Sequence, residues 1–321
     1  MRMTEREKEI FEVLKKEPMI SQDELAQRFG ITRSSAAVHI SNLMKKGVIL
    51  GKGYVINEQV SVVVVGESYM GIEVCDQDNN TTIDLCYGGF GVDLSRALAN
   101  FGLNVKVITV IGNDDVGNIL LGRYQEKGID TSTIFRHSGR RSARKVMVGS
   151  EVSFQESFVK EDYYQAINQR EWVALNCEWL VVQPELQDSI INLMTGRDEE
   201  RLPNYCTLEY LDYPSRIPAY IGQYSLAVLG VKNPSEIDYY ADQALGLLKK
   251  SNQNLIFTDG RSRVFCLGQA GETDFPLMPN QGFNIDERLP YLLAGLLYGL
   301  SCAYPLRQAV RIGIGAASGS E

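Results

Sequence analysis

Histidine is almost missing from this 321-residue chain, which has only His39 and His137, and its six cysteines are scattered with no C-x-x-C pair among them. A structural zinc centre draws on closely spaced ligands of these two types, so none is expected. No apolar run approaches the length needed to cross a bilayer, and the opening MRMTEREKEI has no signal-peptide core. The expectation is a cytoplasmic protein with reduced thiols and no membrane partner. Negative charge is also absent where it would matter, because no Asp or Glu occurs between Glu24 and Lys52. That gap removes repulsion from a polyanion over one particular stretch.

The charge that is present is divided unevenly. The whole chain carries −8, but residues 1–56 carry +3 and the remainder −11. This asymmetry assigns any polyanion partner to the first segment. There the pattern is helical and locally punctuated. Ile10, Phe11, Val13 and Leu14 give one apolar side to a helix from Thr4 to Glu17, which Pro18 ends. Ser21-Gln22-Asp23-Glu24 is a capping box for a second helix, Gln22 to Phe29. After the Gly30-Ile31 turn, Thr32 caps a third helix reaching Lys46, with Ala36, Ile40, Leu43 and Met44 expected inward. Residues 47–56 read as a short hairpin around Leu50-Gly51-Lys52.

Three helices followed by a hairpin resemble the winged helix-turn-helix domains of bacterial DNA-binding regulators. The resemblance implies that the third helix enters the major groove and the wing follows the backbone. It assigns base reading to Arg33, Ser34, Ser35 and His39, and phosphate contacts to Lys45, Lys46 and Lys52. The implied partner is a double-stranded DNA operator, bound by a homodimer.

From Val60 the pattern changes to alternating strands and helices. Apolar runs of strand length lie at Val60 to Val65, Val105 to Ile111, Trp179 to Val182, Leu226 to Leu229 and Leu255 to Thr258. Helical segments lie between them, including Leu94 to Phe101, Gly117 to Lys127 and Ser235 to Lys250. The expected architecture is a doubly wound α/β domain over residues 60–321, joined to a winged domain over residues 1–56.

Several motifs of the second domain resemble those of the ribokinase-like (PfkB) carbohydrate and nucleoside kinases, in the pseudouridine-kinase-like branch that carries an N-terminal winged helix. They are Gly88-Gly89-Phe90-Gly91-Val92-Asp93, Ile111-Gly112-Asn113-Asp114, Asn233-Pro234-Ser235-Glu236, Thr258-Asp259-Gly260, and the helix body Ala294-Gly295-Leu296-Leu297-Tyr298-Gly299. The resemblance implies a ribokinase-like sheet with a small lid. Gly88, Gly89 and Asp93 would bind a sugar or nucleoside, and Asn233, Glu236 and Gly260 would be remnants of a nucleotide and magnesium site.

The departures are concentrated at the catalytic motif. Where the family has Gly-Ala-Gly-Asp, ungapped alignment gives Glu287, Arg288, Leu289 and Pro290, so a proline stands at the general-base position. Tyr69 and Gly71 replace the Asn and Asp that follow the first strand, and Arg263 replaces a glycine of the nucleotide loop. The helix here is expected to begin at Pro290, where proline is tolerated as a first helical residue. The expectation is a pseudokinase with no catalytic residue, in which Asp286 is the fallback base. ATP and magnesium follow only if the alternative holds, an active ATP-dependent sugar or nucleoside kinase. The leading expectation is a transcriptional regulator that uses the kinase-like domain to sense a sugar or nucleoside effector.

Overall fold

In the computed structural model, residues 4–17, 19–45, 60–77, 80–149, 151–198, 202–269 and 271–319 are described. The chain divides into two compact units, residues 1–59 with 196–202, and residues 60–195 with 203–321.

The first unit is built on local signals. Helix α1 (Glu5–Lys16) starts at Thr4, whose hydroxyl accepts the Glu7 amide at 3.2 Å while Glu7 accepts the Thr4 amide at 2.7 Å. Helix α2 (Gln22–Phe29) repeats the device with Ser21 and Glu24, and ends at Gly30 in the left-handed region, φ 61°. The Thr32 hydroxyl accepts the Ser35 amide at 3.1 Å and starts α3 (Arg33–Lys45). Ile10, Leu14, Leu25, Ala26, Ala36, Ile40 and Leu43 close the core. Met44 does not join them. It is 44% exposed, because the inward stripe at 3.6 residues per turn is already filled by Ala36, Ile40 and Leu43. The expected wing at residues 47–56, and with it Lys46 and Lys52, lies outside the described residues, as do Pro18 and the Lys45 side chain.

The second unit is built around an eight-stranded sheet. Its parallel part consists of β1 (Val60–Val65), β4 (Val105–Ile108), β9 (Cys177–Val182), β10 (Asn204–Tyr210), β11 (Leu226–Gly230) and β12 (Asn254–Thr258). Two antiparallel strands, β13 (Arg263–Gly268) and β14 (Gly271–Pro276), complete one edge. Alternation along β1 sends Val62 and Val64 into one core and Val63 and Val65 into the other, which is why residues 62–65 are all valine. The first core is covered by α4 (Phe90–Asn100), α5 (Asp115–Glu126), α10 (Ile285–Ser301) and α11 (Leu306–Ser318). The second is covered by α6 (Lys160–Gln169), α7 (Glu171–Leu175), α8 (Gln187–Met194) and α9 (Pro234–Ala244).

Two expected elements are shorter than their apolar patterns. The run Val105 to Ile111 breaks at buried Thr109, whose hydroxyl bonds Ser68 at 2.9 Å. Beyond the break, β5 (Val110–Gly112) pairs with β6 (Phe135–His137). Helix α9 stops at Ala244 rather than Lys250, because Gly246 follows and the Gln253 side chain draws the amides of Lys249 and Lys250 into a loop at 2.6 and 2.8 Å.

A second sheet forms the lid, in the order β3 (Asn80–Gly88), β2 (Tyr69–Gln77), β7 (Ala143–Val148) and β8 (Glu151–Glu156). Near the C-terminus, α10 packs on α11 through glycine. A methyl group at Gly295 would lie 2.9 Å from the Gly313 Cα, and one at Gly299 would lie 2.8 Å from Ala309. The small residues of α10 are therefore required for helix-to-helix contact.

Candidate functional site

Helix α3 presents its polar residues unevenly. Arg33 is 69% exposed, with only a loose pair to Asp23 at 3.6 Å, and Ser34 is exposed. The Ser35 hydroxyl is engaged with the Thr32 hydroxyl at 2.9 Å, so it serves the cap. His39, expected as an exposed base-reading residue, is half-buried, and its Nδ1 is shielded from solvent. The physical reason is its position beside buried Ile40, on the flank of the inward stripe.

In the larger unit a cleft of about 510 Å³ opens between the lid base, α4 and the start of α10. Its wall includes Glu67, Tyr69, Gly89, Asp93, Tyr210 and Asp286. Of the expected ligand-binding residues, Gly89 and Asp93 line this cleft, while Gly88 lies at the end of β3 with Asp93 and Tyr69 close by. Gly89 has φ 110°, and a Cβ there would sit 2.6 Å from the Glu67 carbonyl oxygen. Only glycine permits this approach. The turn is fixed on both sides, since the Gly91 amide donates to the Glu67 carbonyl at 2.8 Å and the Gly89 amide donates to Asp93 at 3.1 Å. Burial raises the Asp93 carboxyl above its ordinary range, opposed by Arg96 and the Gly89 amide.

The replacements at positions 69 and 71 belong to a connected arrangement. Tyr69 forms part of the wall, and the Lys145 ammonium lies 4.1 Å from its ring centroid. Lys145 also pairs with Glu67 at 2.6 Å, with both side chains at least four-fifths buried. Gly71 leaves no room for a carboxylate, because a Cβ there would collide with Cys86 Sγ across the strand pair. The basic run beside the lid is likewise engaged. Arg144 bridges Asp114 at 3.1 Å and Glu156 at 3.2 Å, and Arg140 meets Asp162 at 3.4 Å. Sequence spacing offers no hint of the Lys145–Glu67 pair, which exists only once the lid folds over the first strand.

The catalytic corner differs from its expected form. Helix α10 begins at Ile285, not Pro290. Asn284 caps it, accepting the Asp286 amide at 3.1 Å and donating to Glu287 at 3.0 Å, and the two acids favour the positive end of the dipole. Pro290 therefore lies inside the helix. Its ring nitrogen has no hydrogen for the Asp286 carbonyl, and the Tyr210 hydroxyl takes that role, contacting the Ile285 and Asp286 carbonyls at 3.3 Å each. Asp286 is exposed in the cleft wall, while Arg288 turns away to the carbonyls of Ala316 and Ala317, both at 3.0 Å, and of Gly319.

The loops expected to hold nucleotide and magnesium are partly engaged from within, although Asp259 Oδ2 and the Ser262 hydroxyl are buried without a hydrogen-bond partner. Glu236 accepts the Lys232 amide at 2.9 Å and the Asn233 side chain at 2.6 Å. Asp259 accepts the amides of Arg261 and Ser262 at 3.1 and 2.9 Å, with Arg263 at 3.4 Å. Burial opposes ionisation of Asp259, but these amides outweigh it and leave the carboxyl below its usual range. Gly260 packs on Phe283, and Arg263 is tied to Asp238 and to Asp274 at 3.2 Å. Among the described residues no cluster of three or more His, Cys, Asp or Glu side chains is positioned to hold a metal, and no helix is long and apolar enough to cross a membrane.

Solved structures share this architecture. A PfkB protein from Polaromonas sp. JS666 superposes with a TM-score of 0.60 at 16% identity, covering 81% of this chain and 95% of that one. Fructokinase from Xylella fastidiosa, solved with bound ATP, gives 0.60 at 16% identity over 82% and 93%. The larger unit has the ribokinase-like fold. The "Uncharacterized sugar kinase YeiI" of Escherichia coli K12 is 36% identical over 155 residues, which is 46% of this chain and 43% of that protein. The chain thus matches less than half the length of that relative. Residues 3–49 match the winged helix-turn-helix DNA-binding family HTH_24. The protein joins a winged helix-turn-helix DNA-binding domain to a sugar-kinase-like, ribokinase-like domain.

Proposed function

We propose that the protein is a cytoplasmic transcriptional regulator whose ribokinase-like domain senses a sugar or nucleoside and has lost phosphoryl transfer. The observation that carries this reading is the corner at Asn284–Pro290. The family base position is Pro290, and among the aligned positions 287–289 the Arg288 amide already donates to the Asn284 carbonyl at 2.9 Å as part of the helix. A kinase needs that amide free and a carboxylate in place of the proline. One loop of the nucleotide side supports the same reading, since both Glu236 oxygens accept the chain's own donors, whereas Asp259 engages only Oδ1. The Asn233–Glu236 pair does not fit Mg·ATP as it stands.

Sensing then works by linkage: an effector that prefers one arrangement of lid and sheet alters operator affinity by that preference. A homodimer provides the two-fold symmetry that operators of winged regulators share. The lid supports it with an apolar face. Strand register aligns Leu85, Ile72, Val146 and Phe154 in one row and Ile83, Val74 and Val148 in the next. Leu85 is 63% and Phe154 75% exposed. A face of this kind calls for a partner.

The test is DNA retention by the full chain on duplexes from upstream of its own operon, with Arg33→Ala as control. The reading requires retention that falls with the variant and shifts with an effector, and unchanged retention by the variant sinks it. One observation favours a second reading, an active ATP-dependent sugar or nucleoside kinase: Asp286 lines the cleft together with Asp93. In that reading Asp286 takes the proton from the substrate hydroxyl, and Asp286→Asn removes turnover.

A further inference from the structure

The outward side of α3 has an apolar centre. Ala36, Ile40 and Leu43 are buried, so at 3.6 residues per turn the opposite stripe consists of Ser34, Val38 and Ser41. All three are exposed, and Val38 is 57% so. A β-branched residue at such a position gains little for the helix, because it loses rotamer freedom there and leaves more than half of its surface exposed. The helix carries no carboxylate from Arg33 to Lys45, so its face is compatible with a phosphate-lined groove.

In the major groove the base edges offer donors and acceptors at every pair but only one apolar group, the C5-methyl of thymine. The serine hydroxyls on either side can donate or accept, and so discriminate weakly. We propose that Val38 is the specificity-determining contact of α3, packing its methyl groups against a thymine C5-methyl, with Ser34 and Ser41 bonding to the neighbouring bases. One helical turn from Ser34 to Val38 rises about 6 Å, close to two base-pair steps, so the thymine lies within about two pairs of the base met by Ser34. The proposal rests on the DNA-binding reading and extends it to a named residue and a named base.

The experiment uses the full chain. Duplexes are selected from a randomised pool, and each thymine of the best duplex is replaced in turn by deoxyuridine, which differs only in lacking the methyl. The expected result is one thymine per half-site whose replacement weakens binding about 4-fold, the effect of burying one methyl-sized group. Val38→Ala loses a similar factor on the thymine duplex and binds both duplexes equally, while Val38→Thr, which keeps one methyl, retains part of the preference. Deoxyuridine without effect at every position, a selected site lacking thymine, or Val38→Ala keeping the native ratio overturns the contact and leaves DNA binding intact. If no duplex is enriched at all, the regulator reading falls, and this contact falls with it.

Discussion

The cleft and the loops at Asn233 and Thr258 use their polar groups in opposite ways. On the lid side the backbone still makes an open wall, with Gly89 at φ 110° and Asp93 and Asp286 facing a cavity. In the loops at Asn233 and Thr258 the carboxylates face their own chain, with Asp259 Oδ1 holding amides of its loop and Glu236 holding the Lys232 amide and the Asn233 side chain. Both sides keep the strand-end loops of the fold. The difference lies in whether side chains leave those loops available, and that is decided by a few replacements and not by the architecture.

The largest effect is expected from closing the open side. Gly89→Ala forces a left-handed backbone on alanine and drives its Cβ toward the Glu67 carbonyl, a loss of about 3–5 kcal/mol in urea unfolding. Full stability in this variant would mean that the turn is not the rigid wall described. Next is Lys145→Met, which strands Glu67 in a mostly buried position and removes the cation from the Tyr69 ring. A loss of about 2 kcal/mol is expected, discounted for the remaining solvent contact.

The inward-turned side gives a smaller and pH-dependent signature. Asp259→Ala loses acceptors for its loop amides, worth about 1–2 kcal/mol at neutral pH. The folded carboxyl is held below its ordinary value, so the stability it contributes is present above about pH 4, the unfolded value, and disappears as pH falls through the folded one. The gap between wild type and variant in thermal unfolding should close on acidification, and a gap that widens contradicts the assignment. The smallest effect belongs to Tyr210→Phe, about 1 kcal/mol, because it removes the hydroxyl that serves the carbonyl orphaned by Pro290. A Tyr210→Phe protein as stable as wild type would assign that carbonyl another partner.

How much of this was legible depends on the distance over which each signal acts. The capping boxes at Thr4 and Ser21 act over three residues, and the helices they start sit where the sequence puts them. The first strand is legible because burial on both faces demands an unbroken apolar run, here Val62 to Val65. The start of α10 was not, because proline reads as a first helical residue unless something replaces its missing donor. That replacement, Tyr210, lies 76 residues from the Asp286 carbonyl it serves. The strands of the lid alternate apolar and polar residues, Met70, Ile72 and Val74 on one and Ile83, Leu85 and Tyr87 on the other, but their pairing with each other and with β7 required the fold. Of the Gly88-Gly89 pair singled out in the sequence, Gly89 lies in the cleft wall, whereas the Lys145–Glu67–Tyr69 arrangement required the fold. On α3 the sequence marked the helix and its inward residues Ala36, Ile40 and Leu43, but not the flank, where His39 is half-buried.

The most direct measurement is ADP release by the full chain with Mg·ATP, across a panel of pentoses, hexoses and nucleosides. The account predicts no release above the no-acceptor background, for the wild type and for Asp286→Asn alike. Acceptor-dependent release by the wild type that Asp286→Asn abolishes would contradict it and make Asp286 the base of a working phosphotransferase.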